Sequence, residues 1–209
     1  MSKAILISIQ PKWCSLIANG KKTLEIRKTR PKLEAPFKCY IYCTLGKPKD
    51  SHKLLEIHGS DGKIRKANGM VIGEFVCDKI TCLGNVATDQ WKCLLGSTHE
   101  YLKRIVTRNA CLTEDELLAY RGKYGWHISD LVIYDRPQEL NRFVVEGDCD
   151  CMNCRKCSWF NRGNGYNVED DCDLGYENIY RKKSLKPLFR PPQSWCYVED
   201  LDGGADHEA

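Results

Sequence analysis

Gly20-Lys21-Lys22-Thr23-Leu24-Glu25-Ile26-Arg27-Lys28 is the stretch whose reading decides the fold. A glycine able to close a helix is followed by strict alternation. Leu24 and Ile26 point to one face of a short strand, and Thr23, Glu25 and Arg27 point to the other. A strand that buries an aliphatic face and displays a hydroxyl, a carboxylate and a guanidinium in a row reads either as a half-exposed strand with solvated charges or as the wall of a binding cleft. Upstream, Ile5-Leu6-Ile7-Ser8-Ile9 predicts a strand, and Pro11 suits the first turn of a helix over residues 11–19 that buries Trp13, Leu16 and Ile17. Strand, helix, glycine, charged strand is the opening of the fold.

Downstream the alternation returns at Lys38–Thr44, with Cys39, Ile41 and Cys43 on one face and Tyr40 and Tyr42 on the other. Residues 45–68 are mostly polar, with Gly59-Ser60-Asp61-Gly62 as a turn between short extended arms, and read as a peripheral hairpin or loop. Met70–Cys77 is the next strand and carries Glu74 among apolar residues, with Ile80–Leu83 as its continuation after a turn. Two helices follow, one over 98–107 and one starting at Thr113, where Thr113-Glu114-Asp115-Glu116 fits a capping box. A long strand is predicted over Trp126–Tyr134 and a terminal strand over Ser194–Val198. Within these strands His127 reads as a packed or hydrogen-bonded residue rather than a catalyst.

The 209 residues allow one packed domain with an appendage. No apolar run approaches the ~20 residues that a membrane helix needs, and the first residues carry no signal-peptide pattern, so a cytoplasmic protein without a membrane partner is expected. The net charge of +4 is unevenly spread: residues 1–53 hold twelve Lys/Arg against three Asp/Glu, whereas the chain from Glu199 onward is acidic. A basic amino-terminal part suits a polyanion such as RNA, or is simply a lysine-rich surface.

Of the 13 cysteines, Cys39, Cys43 and Cys77 sit in strand patterns and read as small buried hydrophobes in a reducing compartment. Another group is dense: Cys149, Cys151, Cys154, Cys157 and Cys172. Cys154-x-x-Cys157 is half of a zinc knuckle, Cys172 supplies a third thiolate, and the fourth comes from Cys151 or Cys149, with Cys151 preferred. A structural Zn2+ is expected ahead of an iron–sulfur cluster, tying down an insertion too polar to build its own core.

The pattern Gly-x-Lys-x-x-Glu-x-Arg formed by Gly20, Lys22, Glu25 and Arg27 resembles the signature of ASCH domains, small β-barrels of the PUA-like superfamily, of the bacterial and phage type. The resemblance extends to Gly73-Glu74-Phe75, Gly125–Asp130 and Pro192–Val198. It implies an α+β fold: a PUA-like mixed barrel with flanking helices over residues 1–142 and 189–199, a cysteine-rich insertion over 143–188 before the last strand, and an acidic tail over 200–209.

It also implies a cleft that accepts RNA or a modified nucleotide. Lys22, Arg27 and Lys28 would then meet phosphate or base, and Glu25 would accept from a base amino group. Trp126 or Trp195 would either stack on a base or belong to the core. Lys22 reaches such a cleft only if the pleat begins after it. One ASCH branch deacylates N4-acetylcytidine with a Lys-Thr-Glu set. Lys22 matches its lysine, but Glu25 stands where its threonine would be, and Glu74 is the candidate glutamate. Amidohydrolase activity is therefore the alternative to nucleotide binding, and a protein-interaction adaptor is a third class.

Overall fold

The computed structural model describes residues 3–46, 55–83, 99–120, 124–147 and 184–201. Twelve strands and three α-helices lie among them. β1 (Lys3–Ile9), β3 (Phe37–Cys43), β6 (Val71–Cys77), β9 (Ser129–Gln138) and β12 (Trp195–Glu199) form a five-stranded sheet in the order β12-β1-β3-β6-β9, parallel only between β1 and β3. A second, antiparallel sheet has the order β2-β8-β7, from β2 (Leu24–Arg27), β8 (Tyr124–His127) and β7 (Ile80–Cys82). The fold is α+β and dominated by its sheets.

The two sheets join at a corner. The single long strand expected over 126–134 is two strands, because the chain bends at Ile128 and Asp130 takes a left-handed φ of 47°. The Ile128 amide donates to the Thr23 carbonyl at 3.0 Å, which fixes the bend against the start of β2. Alternation alone carries no sign of such a corner. For the same reason β7, expected to extend β6, turns instead into the second sheet and pairs with β8. Gly73 is required where β6 meets β9, since a Cβ there would lie 2.3 Å from the Val132 carbonyl oxygen.

Each face of the five-stranded sheet has its own core. Ile5, Ile7 and Ile9 pack with Cys39, Ile41, Cys43, Phe75 and Trp126 on one face. Ala4, Leu6, Tyr40 and Tyr42 pack with Leu140, Phe143 and Val198 on the other. Cys39, Cys43 and Cys77 are buried as small apolar residues, and burial pushes the Cys77 thiol up to about 12.

α1 (Pro11–Ala18) begins at its proline as expected, and buries Cys14 and Ile17 while Trp13 and Leu16 stay half-buried. Gly20, at φ +68°, reverses the chain after it, and the Lys21 and Lys22 amides close onto the Leu16 carbonyl. α2 (His99–Ala110) and α3 (Glu114–Tyr120) lie near the aliphatic face of β2, where Leu24 and Ile26 meet Val106, Ala110 and Leu117. The capping box at α3 is formed in both directions, between Thr113 Oγ1 and the Glu116 amide and between Glu116 Oε2 and the Thr113 amide.

Of the hairpin or loop expected within 45–68, the structure shows a hairpin, made by β4 (Glu56–His58) and β5 (Ile64–Lys66). β10 (Val144–Gly147) and β11 (Ser184–Pro187), at the two ends of the 143–188 insertion, pair antiparallel and bracket its cysteines. Cys149, Cys151, Cys154, Cys157 and Cys172, and with them the expected zinc site, lie outside the described residues, as does the acidic tail beyond residue 201. No helix among the described residues is long and apolar enough to cross a membrane.

Candidate nucleotide-binding cavity

Residues 21–23 are not yet pleated, so Lys22 escapes the alternation that would have placed it on the Leu24 face. Its ammonium instead turns toward Glu25. Lys22 Nζ lies 3.3 Å from Glu25 Oε2, and Arg27 Nη2 lies 3.0 Å from Glu25 Oε1. All three side chains are buried, with residue exposures of 3% for Lys22, 6% for Glu25 and 6% for Arg27. A charge at this depth is tolerated only with counter-charges and hydrogen bonds around it. Here they come from distant parts of the chain.

Lys22 Nζ donates to the Leu24 carbonyl at 2.9 Å and to the Ala110 carbonyl at 2.8 Å. The second of these is a terminal carbonyl of α2, where the helix dipole favours a cation. Arg27 Nη2 donates to the Ser8 carbonyl at 2.8 Å, and Nη1 donates to Ser194 Oγ at 3.2 Å. Arg27 thereby ties β2 to β1 and to the entrance of β12.

The triad lines an open cavity of about 840 Å³. Its other walls come from the end of β1 and the start of α1 (Ser8 to Trp13), the turn Thr44–Gly46, and Leu112 and Glu116 near α3. At the rim Lys12 pairs with Glu116 at 3.5 Å and lies 4.3 Å above the Trp13 ring, while Lys22 is 5.1 Å from the same ring. The cavity therefore offers one buried carboxylate, an aromatic wall and aliphatic surface, a composition typical of small-molecule sites.

The remaining candidate residues are not gathered there. Trp126 is 0% exposed, stands directly opposite Glu25 on the adjacent strand β8 of the same sheet and lies edge-on to Phe37 at 5.9 Å, so it is a core residue with no face for a ligand. Trp195 is half-buried, 5.9 Å from Trp126, and its Nε1 donates to Thr29 Oγ1 at 3.0 Å. Lys28 is exposed just past β2. Glu74 stands on the opposite face of the five-stranded sheet, where it accepts from Tyr134 Oη and pairs with Lys38 at 3.5 Å, so it does not join Lys22. His127 is a surface residue bonded to Asp78 at 3.2 Å.

Sequence reasoning assigned Trp13 to the core and passed over Lys12, Gln10 and Thr44. The position of Trp13 at the first turn of α1, with a lysine on one side, was the available signal.

No family model matches the chain, and no curated protein matches it. Solved structures of ASCH from Zymomonas mobilis are similar to it. One covers 96% of this chain and 90% of its own at 19% identity, with a TM-score of 0.49. Two point mutants of the same protein give 21% identity and a TM-score of 0.43 over 68% of this chain and 78% of their own, and 19% and 0.47 over 94% and 88%. These are structures of the family that the signature stretch resembles. Likeness at this level of identity concerns the fold alone, and the role of the cavity rests on its own residues.

Proposed function

We propose that the protein binds a nucleotide, free or within single-stranded RNA, by taking its base into the cavity against Glu25 and Trp13. The observation that carries this reading is the buried Lys22–Glu25–Arg27 triad opening onto a cavity large enough for a nucleotide. A carboxylate held by two cations accepts hydrogen bonds and donates none, which matches the amino groups of a base. Lys12 at the rim supplies a mobile positive charge for a phosphate, in keeping with the basic amino-terminal part.

Deacylation of an N4-acylated cytidine has less support. An amine nucleophile needs a free lone pair, whereas Lys22 Nζ donates to two carbonyls beside Glu25, and Glu74 is on the far side of the sheet. Release of cytidine from N4-acetylcytidine, lost in Lys22→Arg, would reverse this order.

The test is fluorescence anisotropy with short single-stranded RNA at two salt concentrations, followed by competition with nucleoside monophosphates. Salt-sensitive binding that mononucleotides displace is the expected result. Binding that no mononucleotide displaces would mean that the basic surface alone holds the RNA, and the cavity reading would fall.

A further inference from the structure

The donors of the triad can be counted. An ammonium has three N–H bonds, and Lys22 directs them at the Leu24 carbonyl, the Ala110 carbonyl and Glu25 Oε2. A guanidinium has five N–H bonds. Arg27 Nη1 faces the Ser194 carbonyl and Oγ, and Nη2 faces the Ser8 carbonyl and Glu25 Oε1. Its Nε has no partner and is sealed inside the protein. Neither cation therefore has a donor to turn toward a ligand. Glu25 differs, because a carboxylate has about four acceptor positions and the two cations occupy one on each oxygen.

Resting on the reading of this cavity as a nucleobase site, we infer that the base it selects is guanine, whose adjacent N1–H and 2-amino group meet the two oxygens of Glu25. Of the unmodified neutral bases, guanine alone presents two neighbouring donors on its pairing edge. Cytosine and adenine place a ring-nitrogen acceptor beside their amino group, and that lone pair would face the carboxylate. Uracil has a single N–H between two carbonyls. In a buried site such a mismatch leaves polar atoms unpaired, which costs more than the lost bond itself. The lysine and arginine act as positioning residues that hold the carboxylate plane. Gln10 and Gln193, which line the same cavity, carry amide donors suited to the guanine carbonyl.

The experiment uses the full chain and isothermal titration with GMP, IMP, 1-methyl-GMP, CMP, AMP and UMP. Inosine lacks the 2-amino group and the 1-methyl analogue lacks N1–H, so each is expected to bind roughly tenfold or more weakly than GMP. Glu25→Gln, checked for folding by circular dichroism, is expected to bring GMP and IMP to within about threefold of each other. Because the analogue series uses the unaltered protein, an unfolded variant does not decide the matter. IMP binding as tightly as GMP, or CMP or AMP binding best, overturns the guanine assignment while leaving the nucleobase reading in place. Failure of all six nucleotides to bind overturns both.

Discussion

Two glutamates on strands of different sheets have the same kind of company and different outlooks. Glu25 lies between Lys22 and Arg27, and Glu74 lies between Lys38 and Tyr134. Around Glu74 the contacts run between strands. Lys38 also pairs with Asp200 at 3.4 Å, Asp200 accepts from Tyr40 Oη at 2.7 Å, and the Leu201 amide donates to that same hydroxyl at 3.0 Å. β3, β6 and β9 are thereby stitched to the residues that follow β12. Burial and the Asp200 carboxylate both push the Tyr40 phenol well above its ordinary value, so it stays a donor. Around Glu25 the cations face inward and a cavity lies in front. A charged cluster is thus read by where its unused hydrogen-bonding capacity points, and its composition does not settle that.

The sharpest way to break this comparison is to remove each carboxylate. Glu25→Ala leaves two buried cations uncompensated and is expected to cost about 3–5 kcal/mol in urea denaturation. Glu74→Ala leaves Lys38 with Asp200 and is expected to cost about 1–2 kcal/mol, with nucleotide affinity unchanged. Equal losses of stability would mean that the two clusters do the same work.

A smaller contrast lies in the tryptophans. Trp126→Ala opens a hole in the core and should cost roughly 3–5 kcal/mol of stability. Trp13→Ala should lose less stability, and about 1–3 kcal/mol of nucleotide binding if its ring stacks on a base. Binding unaffected by Trp13→Ala would remove the aromatic wall from the proposal.

The smallest expected effect at the cavity concerns metal. The cysteine cluster lies between β10 and β11, and β10 packs through Val145 with Phe143 and Leu188, in a core cluster separate from the one that holds Trp126. The cysteine cluster is expected to hold about one equivalent of zinc by mass spectrometry of anaerobically purified protein. Chelation should lower the melting temperature while nucleotide affinity stays within about twofold. Loss of binding on chelation would instead tie the insertion to the cavity.

The alternation of residues 24–27, the proline and glycine that bracket α1, and the capping box at Thr113 and Glu116 were all legible in the sequence, because each is a local rule with a fixed spacing. So was the placing of Glu25 and Arg27 on one face, whereas Lys22 joins them only because the pleat begins after it, a condition that alternation left open. What the sequence could not reveal was the bend at Ile128, which puts Trp126 in the three-stranded sheet opposite Glu25 and buries it in the core. It also could not separate Glu74 from the site, because the face a strand residue occupies depends on which sheet that strand joins.

By itself, then, the sequence determined the strand, its charges and the helix that precedes it. Only the tertiary structure decided which of those charges remain available. The acceptors that engage Lys22 and Arg27 are the Ala110 carbonyl, the Ser8 carbonyl and Ser194, lying 88, 19 and 167 positions away along the chain. A hydrogen bond depends on distance in space and on angle, and no local pattern specifies either across such separations.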